Sequence, residues 1–193
     1  MEIKSNHSLI NIPRISNFLS LPFNPNLTRT FAEVDSFSDL DVSFLTSRGI
    51  KALILDLDGT LVEHGRDNLS SQTISKIQEI QARAIRMCIL SNNVSSRSYS
   101  ITSSVNMDLL QATPLKPHPE SFLCAMKKIG IDDPSQCAMV GDNFNTDAGA
   151  NSVGMHFIYV KPIPGTEPIW VKLTRSYAAW WAKLHHFSRK LTN

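Results

Sequence analysis

The chain has 193 residues, of which 42% are hydrophobic and 19% are charged, proportions typical of a globular protein with one sizeable core. A formal net charge of +2 excludes nucleic-acid binding through overall charge, so no nucleic-acid partner is predicted. The three cysteines have neither metal-ligand nor disulfide spacing, which predicts an intracellular protein in a reducing compartment. No apolar stretch of the sequence approaches the roughly 20 residues that cross a bilayer.

Residues 1–49 are expected to form an N-terminal arm and one short helix that pack on the main domain. The first 30 residues are rich in Asn and Pro and predict irregular structure. They contain one acidic residue, Glu2, so an organelle-targeting peptide is an alternative. The short helix is predicted over Ser36–Leu45, where Asp39 and Asp41 favour the first turns.

From Ile50 onward, apolar runs alternate with helical patterns, as in a parallel sheet covered by helices on both faces. The predicted strands are Lys51–Asp56, Ile85–Leu90, Asp108–Gln111, Cys137–Gly141 and Met155–Val160. The predicted helices are Ser71–Ala84, Ser95–Ser104, Pro119–Ile129 and Thr146–Ser152. The expected fold class is therefore α/β, a three-layer α/β sandwich with right-handed crossovers, and its core spans residues 50–165.

Polar side chains cluster where predicted strands end, at the sheet edge that carries the chemistry in this architecture. The candidates, with one lysine from a later loop, are Asp56, Asp58, Ser91, Asn92, Lys116, Asp142 and Asp147. Three carboxylates close to one point, those of Asp56, Asp142 and Asp147, repel one another without a cation. Hard oxygen ligands of this kind select Mg²⁺.

These residue types fit the transfer of a phosphoryl group. One carboxylate can attack phosphorus and form an aspartyl-phosphate. Asp58 is placed to protonate the leaving group and later to deprotonate the attacking water. Ser91 and Lys116 can hold the phosphate oxygens and offset the developing charge. Taken singly, each motif has a plainer interpretation as a turn, a helix cap or an exposed lysine.

Taken together, the segments DLDGT, SNN, LKPHP and GDNFNTD resemble motifs I to IV of the haloacid dehalogenase (HAD) superfamily, in the correct order. The resemblance covers roughly Ile50 to Val160 and implies a Rossmann-like parallel sheet. It implies that Asp56 is the nucleophile, that Asp58 is the general acid and base, and that Thr60 supports the loop and Asp58.

The same resemblance implies how a metal and a phosphate are held. Mg²⁺ would be bound by Asp56, by Asp142 and by the backbone carbonyl of Asp58. Asp147 would complete the acidic site or orient Lys116. The residues implied to bind phosphate are Ser91, Asn92 and Lys116.

The spacing of the motifs leaves no room for a cap domain, which this superfamily inserts after motif I or between motifs II and III. After motif I there is only the short stretch EHGRDNLS, and Ser91 and Lys116 are 25 positions apart. An open site suits a macromolecule, a phospholipid head group at a surface, or a substrate enclosed by a homo-oligomer.

Residues 166–193 are predicted to form a basic amphipathic helix. Large apolar side chains recur there at three- and four-residue steps, and five Lys or Arg residues follow position 169 with no acid. This pattern is typical of a helix that lies on an anionic membrane, although a terminal helix packed on the core or on a partner subunit is an equal alternative. The candidates to face the membrane are Trp170, Lys172, Arg175, Trp180, Trp181 and Lys183.

The segments LDLDGTLVEHGR, LSNN and LKPHPESF further resemble the YqeG-type phosphatases, a branch that includes mitochondrial and plastid phosphatidylglycerophosphate phosphatases. This resemblance implies hydrolysis of phosphatidylglycerophosphate to phosphatidylglycerol, the precursor of cardiolipin. The enzyme would lie peripherally on a membrane in the cytoplasm or an organelle matrix. Leu57 and Gly59 depart from the mitochondrial relatives, which often carry Lys and Asn at these positions.

Two alternatives to a lipid phosphatase remain open at this point. One is a phosphatase of soluble phosphate esters or phosphoproteins, in which the C-terminal helix is an oligomer contact. The other is a non-catalytic module that binds a membrane or a protein.

Overall fold

Six strands form one parallel sheet in the computed structural model, which describes residues 12–165 and 167–192, with side chains from position 15 to position 186. The strands are β1 Ala32–Val34, β2 Ala52–Leu55, β3 Arg86–Ser91, β4 Asp108–Gln111, β5 Cys137–Gly141 and β6 His156–Val160. Their order across the sheet is β1-β6-β5-β2-β3-β4. The five strands predicted from apolar runs are all present, each within one residue of its predicted ends.

Helices cover both faces of the sheet. They are α1 Ile12–Ser20, α2 Val42–Ser47, α3 Ser71–Ala82, α4 Ser96–Ser104, α5 Pro119–Lys128 and α6 Ile169–Thr192. Leu53 and Leu55 of β2 share one apolar core with Ile77 of α3, whereas Ile54 between them shares a second core with Phe122 of α5. Alternation along the strand thus fills two cores, and the predicted three-layer sandwich is confirmed.

The register of the central strands brings their carboxyl ends level. Leu55 at the end of β2 lies opposite Ile89 of β3 and Val140 of β5. The backbone N–H of Asp56 donates to the carbonyl oxygen of Val140 at 2.9 Å, so the ladder continues one residue beyond the strand. The segments after β2, β3 and β5 therefore meet at one edge of the sheet.

The expectation of a site without a cap domain is confirmed in the segments where a cap would lie. Between Val62 and α3 the chain forms a short loop of turns. Between β3 and Lys116 it forms α4, β4 and their connections.

The segment before residue 50 differs most from its prediction. Residues 12–20 were expected to be irregular and form helix α1, whose first turn contains Pro13, a position where the missing N–H breaks no helical hydrogen bond. Strand β1, with Ala32 opposite Ile158 of β6, was not predicted because three residues are too few to show a period. The possible targeting peptide falls mainly on residues 1–11, which lie outside the described residues.

Two predicted helices have different bounds or geometry. The helix expected over Ser36–Leu45 is divided into a 3₁₀ turn over Phe37–Asp39 and helix α2. Asp41 caps α2 by accepting from the backbone N–H of Phe44 at 3.0 Å. The segment expected as a helix over Thr146–Ser152 is a 3₁₀ helix over Asp147–Val153.

Candidate active site

Most of the polar residues predicted from the motifs line one cavity of about 300 Å³ at the carboxyl edge of the sheet. Its walls include Asp56, Asp58, Ser91, Asn92, Lys116 and Asp142. Leu57, between the first two aspartates, is fully buried in the apolar core. The alternation of the extended chain therefore directs both carboxylates to the cavity, as the sequence predicted.

Lys116 is the centre of the charge network. Its Nζ donates to Asp56 Oδ1 at 2.7 Å and to Asp147 Oδ1 at 2.8 Å, and the residue is 1% exposed. Burial acts to lower the pKa of Lys116, but the charges of Asp147 and Asp56 outweigh it and raise the pKa above its ordinary value. The ammonium group is therefore charged at neutral pH and fixes the orientation of the Asp56 carboxylate.

Asp147 orients Lys116, one of its two predicted roles. Its Oδ1 accepts from Lys116 and its Oδ2 accepts from the backbone N–H of Asn143 at 3.1 Å, so each oxygen already has a donor. Burial raises the pKa of Asp147 to about 6, although Lys116 acts to lower it. A Cβ at Gly141 would overlap the Asp147 side chain, so glycine at the end of β5 makes this position accessible.

Three carboxylates form a group that could hold a metal ion. Each of Asp56, Asp142 and Asp147 offers an oxygen, and these oxygens lie within 4.8 Å of one another. Burial first, and then the charges of Asp56 and Asp147, raise the pKa of Asp142 well above its ordinary value. A divalent cation would relieve this repulsion, and carboxylate oxygens are its preferred ligands, so the donor set fits one. The Asp58 side chain is outside this group, and its backbone carbonyl as a ligand stays a prediction.

Gly59 allows the carboxylate of Asp142 to lie close to the backbone of the first motif. Its φ is +89°, a left-handed conformation that L side chains rarely adopt. A Cβ at this position would lie 2.6 Å from Asp142 Oδ2. Thr60, predicted to support the loop and Asp58, donates to the nucleophile candidate, with its Oγ1 3.4 Å from Asp56 Oδ2.

The phosphate-binding candidates after β3 differ in what they contact. Ser91 Oγ donates to the carbonyl oxygen of Asn93 at 2.9 Å and accepts from its N–H at 3.2 Å, which fixes the loop at the cavity wall. The Asn92 side chain makes two hydrogen bonds with the Lys116 backbone. Its Nδ2 donates to the carbonyl oxygen at 3.0 Å, and its Oδ1 accepts from the N–H at 2.8 Å. The Asn92 side chain thus positions Lys116, and because Asn92 also lines the cavity its phosphate-binding role stays a prediction.

Arg97 is a site residue that the sequence analysis missed. Its Nη1 donates to Asp58 Oδ1 at 2.8 Å, and the two side chains are about equally buried. A base in the first turn of a helix opposes the helix dipole, so its position in α4 was a signal that could have identified it.

Arg175 was predicted to face a membrane, and the structure shows that this is wrong. The residue is 7% exposed, and its Nη1 donates to Asp142 Oδ2 at 2.6 Å. Its Nη2 donates to Glu167, a second residue that the sequence analysis did not select. Arg175 lies on the same face of α6 as Ala178 and Ala182, and these small residues pack that face closely onto the core.

The large apolar side chains of α6 divide between the core and the surface. The exposed set comprises Ile169, Trp170, Leu173, Trp180 and Leu184, and the predicted candidates Lys172 and Lys183 are exposed beside them. Trp181 is half-buried and packs against Tyr177 in an edge-to-face contact. The apolar stripe is thus wider than one buried face, and much of it points away from the core. The side chains after position 186 lie outside the described residues.

Helix α1 adds further exposed apolar surface beside α6. The ring of Phe18 lies 4.5 Å from the ring of Tyr177, which joins the two helices. On α1 and just beyond it, Ile15, Leu19 and Phe23 are exposed. None of the helices in the described part of the chain is both long enough and apolar enough to span a membrane.

Comparison with known proteins places this site in a family. A model of the mitochondrial PGP phosphatase family matches residues 12–163, well over half of the chain. The chain belongs to this family. It is a capless HAD phosphatase, and the family match includes all four motifs and their carboxylates.

Individual proteins that are similar to this member of the PGP phosphatase family share less than a third of its sequence. The chain is similar to the probable phosphatase YqeG of Bacillus subtilis (strain 168), with 29% identity over 132 residues, 68% of this chain and 76% of that protein. A solved similar structure is the cobalt-bound deoxy-D-mannose-octulosonate 8-phosphate phosphatase of Haemophilus influenzae, with TM-score 0.49, 16% identity, and coverage of 72% and 88% of the two chains. Another is a HAD family hydrolase from Deinococcus radiodurans R1 with bound phosphate and sodium, with TM-score 0.49, 14% identity, and coverage of 62% and 84%.

Proposed function

We propose that the chain is a Mg²⁺-dependent phosphomonoesterase that hydrolyses phosphatidylglycerophosphate to phosphatidylglycerol, for cardiolipin synthesis. The observation that carries the proposal is the position of the cavity: Trp170, in the first turn of α6, lines it together with Asp56. A helix with exposed apolar side chains and lysines thus begins at the mouth of an open phosphatase site. The match to the PGP phosphatase family supports the lipid substrate.

In the proposed reaction Asp56 attacks phosphorus, and the ester P–O bond breaks as the Asp56–phosphorus bond forms. Asp58 gives its proton to the leaving oxygen, so that the lipid leaves as an alcohol. Asp58 then takes a proton from water, which attacks phosphorus, releases inorganic phosphate and restores the Asp56 carboxylate. Bound Mg²⁺ supplies positive charge that offsets the charge of the phosphate and the carboxylates.

Lys116 and Ser91 are proposed to bind the phosphate oxygens. The Lys116 ammonium is held within 2.8 Å of two carboxylates, so it need not be reoriented when the charge on phosphate develops. Ser91 is 4% exposed and lines the same cavity.

Membrane association is proposed to be peripheral and to use the exposed apolar side chains of α6 and α1. Aromatic and aliphatic side chains on one side of a helix with lysines beside them are typical of a helix lying in the lipid interface. Each base near an anionic bilayer contributes about 1 kcal/mol to binding. Lys172 and Lys183, both exposed beside the apolar set, are the described bases of α6 that can act in this way.

The substrate is tested by phosphate release from phosphatidylglycerophosphate in vesicles and from a panel of soluble phosphomonoesters, each with Mg²⁺. We expect turnover of the lipid, and its loss in Asp56→Asn. Asp108→Asn is the matched control, because Asp108 is exposed at the opposite end of the sheet and pairs with Lys128. Full activity on soluble esters with none on the lipid would support the phosphatase activity but reject the lipid substrate. No turnover of any phosphoester would favour a non-catalytic binding module.

Membrane binding is tested separately by sedimentation with phosphatidylglycerol vesicles. The double variant Trp180→Ser, Leu184→Ser should lose vesicle binding while keeping activity on a soluble ester. Leu123→Ser, which removes an exposed leucine of α5, is the control and should bind normally. If the double variant instead changes the oligomeric state and vesicle binding is unaffected, the exposed face is a subunit contact, as in the alternative of a soluble phosphatase.

A further inference from the structure

The Arg97 side chain joins the acid/base candidate to the loop that follows it. Nη1 donates to Asp58 Oδ1 at 2.8 Å, and Nη2 donates to the carbonyl oxygen of Glu63 at 3.2 Å. Nε donates to the carbonyl oxygen of Arg66 and lies 3.6 Å from Asp67 Oδ1. One guanidinium group therefore holds the carboxylate and three points of the loop at the same time.

The position of Arg97 is unfavourable unless these contacts compensate for it. The residue lies in the first turn of α4, where the partial positive charge of the helix end repels a base. Its side chain is 19% exposed, so the charged group has lost much of its hydration. By contrast, Lys127 and Lys128 of α5 lie in the last turn of their helix, where bases are favoured.

We propose that Arg97 is a positioning residue for Asp58, an inference that rests on the acid/base role proposed for Asp58 above. An aspartate side chain rotates between several staggered conformations, and only some of them direct an oxygen at the leaving group. The planar guanidinium binds Oδ1 in a fixed geometry. Oδ2 is then the oxygen that transfers the proton. A misplacement of about 1 Å costs on the order of 10²-fold in rate, so a fixed carboxylate is worth this much.

A different role for Arg97 would be direct binding of the substrate phosphate or head group, since it lies near the site. The two roles differ in their dependence on the leaving group. A residue that holds phosphate affects every phosphate ester alike. A residue that positions the general acid matters most when the leaving oxygen is basic and needs a proton, and least when the leaving group departs as a stable anion.

The test measures kcat/KM, which reports the steps up to transfer of phosphate to Asp56, for phenyl phosphate and p-nitrophenyl phosphate with the full chain in Mg²⁺. In Arg97→Met we expect a loss of at least about tenfold for phenyl phosphate and less than about threefold for p-nitrophenyl phosphate. Arg97→Lys keeps the charge and one donor, and should recover part of the loss. Arg83→Met is the matched control, because its side chain is exposed at the end of α3 and lies outside this network, and it should leave both values within about twofold.

A double-mutant comparison separates this inference from the proposed function. In an Asp58→Asn background, Arg97→Met should cause less than about a further threefold loss on phenyl phosphate, since its partner is already disabled. If Asp58→Asn lowers kcat/KM equally for phenyl phosphate and p-nitrophenyl phosphate, the proposed acid/base role is wrong. If Asp58→Asn lowers kcat/KM more for phenyl phosphate but Arg97→Met lowers it equally for both esters, Arg97 acts on the substrate and the inference is overturned. If Arg97→Met unfolds, as thermal melting would show, Arg97→Lys is compared in the same way and decides between the same outcomes.

Discussion

Arg175 of α6 supplies a counter-charge to the metal-ligand candidate Asp142, and Arg175→Met tests this contact. Methionine keeps the length and apolar volume of the side chain but removes the guanidinium. Both partners are buried, with Arg175 7% exposed and Asp142 3% exposed, and the Nη1–Oδ2 distance is 2.6 Å. The change therefore leaves two buried carboxylates without this partner. One is Glu167, and the other is Asp142, whose pKa is already raised by burial and by Asp56 and Asp147.

The expected loss of stability is large for a single substitution. Removing one partner of a buried ion pair typically costs about 3–5 kcal/mol of unfolding free energy. For a chain of this size, 1 kcal/mol corresponds to about 2–4 °C in Tm, so a fall of roughly 10 °C is expected in EDTA. Arg83→Met, at an exposed position, is the matched control and should change the unfolding free energy by less than about 0.5 kcal/mol.

Mg²⁺ should reduce the difference in unfolding free energy between Arg175→Met and the wild type, because a bound cation can replace Arg175 as the counter-charge of Asp142. At a concentration of 100 times its Kd, a ligand that binds the folded state alone stabilises it by about 2.7 kcal/mol. Because the variant carries one positive charge less beside the cation, its gain should exceed that of the wild type. Urea unfolding in EDTA and in Mg²⁺ measures both gains. An equal loss of stability in both buffers, or no loss in EDTA, would refute the reasoning.

Three further predictions concern the same site. Gly59→Ala, which places a Cβ 2.6 Å from Asp142 Oδ2 at a φ of +89°, should raise the Mg²⁺ concentration for half-maximal activity at least about tenfold. In EDTA the unfolding free energy should fall as pH rises from about 4 past 6, because the pKa of Asp147 is about 6 when folded and 3.8 is its ordinary value. The folded state thus binds protons more tightly, and its stabilisation is present below the lower pKa and lost through the higher one. Urea titrations at pH 4 and 8 should differ by about 2 kcal/mol from this group, because at pH 4 the unfolded carboxyl is already partly ionised. Lys116→Met should abolish more than about 99% of phosphate release and destabilise the fold, and adding Asp147→Asn should recover stability but not activity.

The sheet and the motif residues were predictable because their signals are local. A strand buried on both faces is an apolar run, and β5, buried throughout, has the bounds that were predicted from such a run. Asp56 and Asp58 follow β2 directly, so the strand alone determines their location. Strand β1 was not predictable in this way, because it is three residues long and its pairing with β6 is determined by the tertiary fold.

The counter-charges were missed because they come from distant parts of the chain. Arg97 is 39 positions from Asp58, and Arg175 is 33 positions from Asp142. A motif shows which carboxylates converge, but it does not show which bases the fold brings to them. In α6 the apolar period predicted one apolar face, for a membrane or for the core. The face that packs on the core instead carries the small residues Ala178 and Ala182, which the period does not distinguish.

The two sides of α6 differ in what they contact, and this determines how membrane binding by the helix must be tested. One side brings Arg175 to Asp142 in the site, and the other exposes Leu173, Trp180 and Leu184. A deletion of the whole helix would remove the counter-charge and the apolar surface together. It would therefore lower activity whether or not the helix binds lipid. Substitutions confined to the exposed side are needed to assign membrane binding, and Arg175→Met, which leaves that side intact, should bind vesicles like the wild type in Mg²⁺.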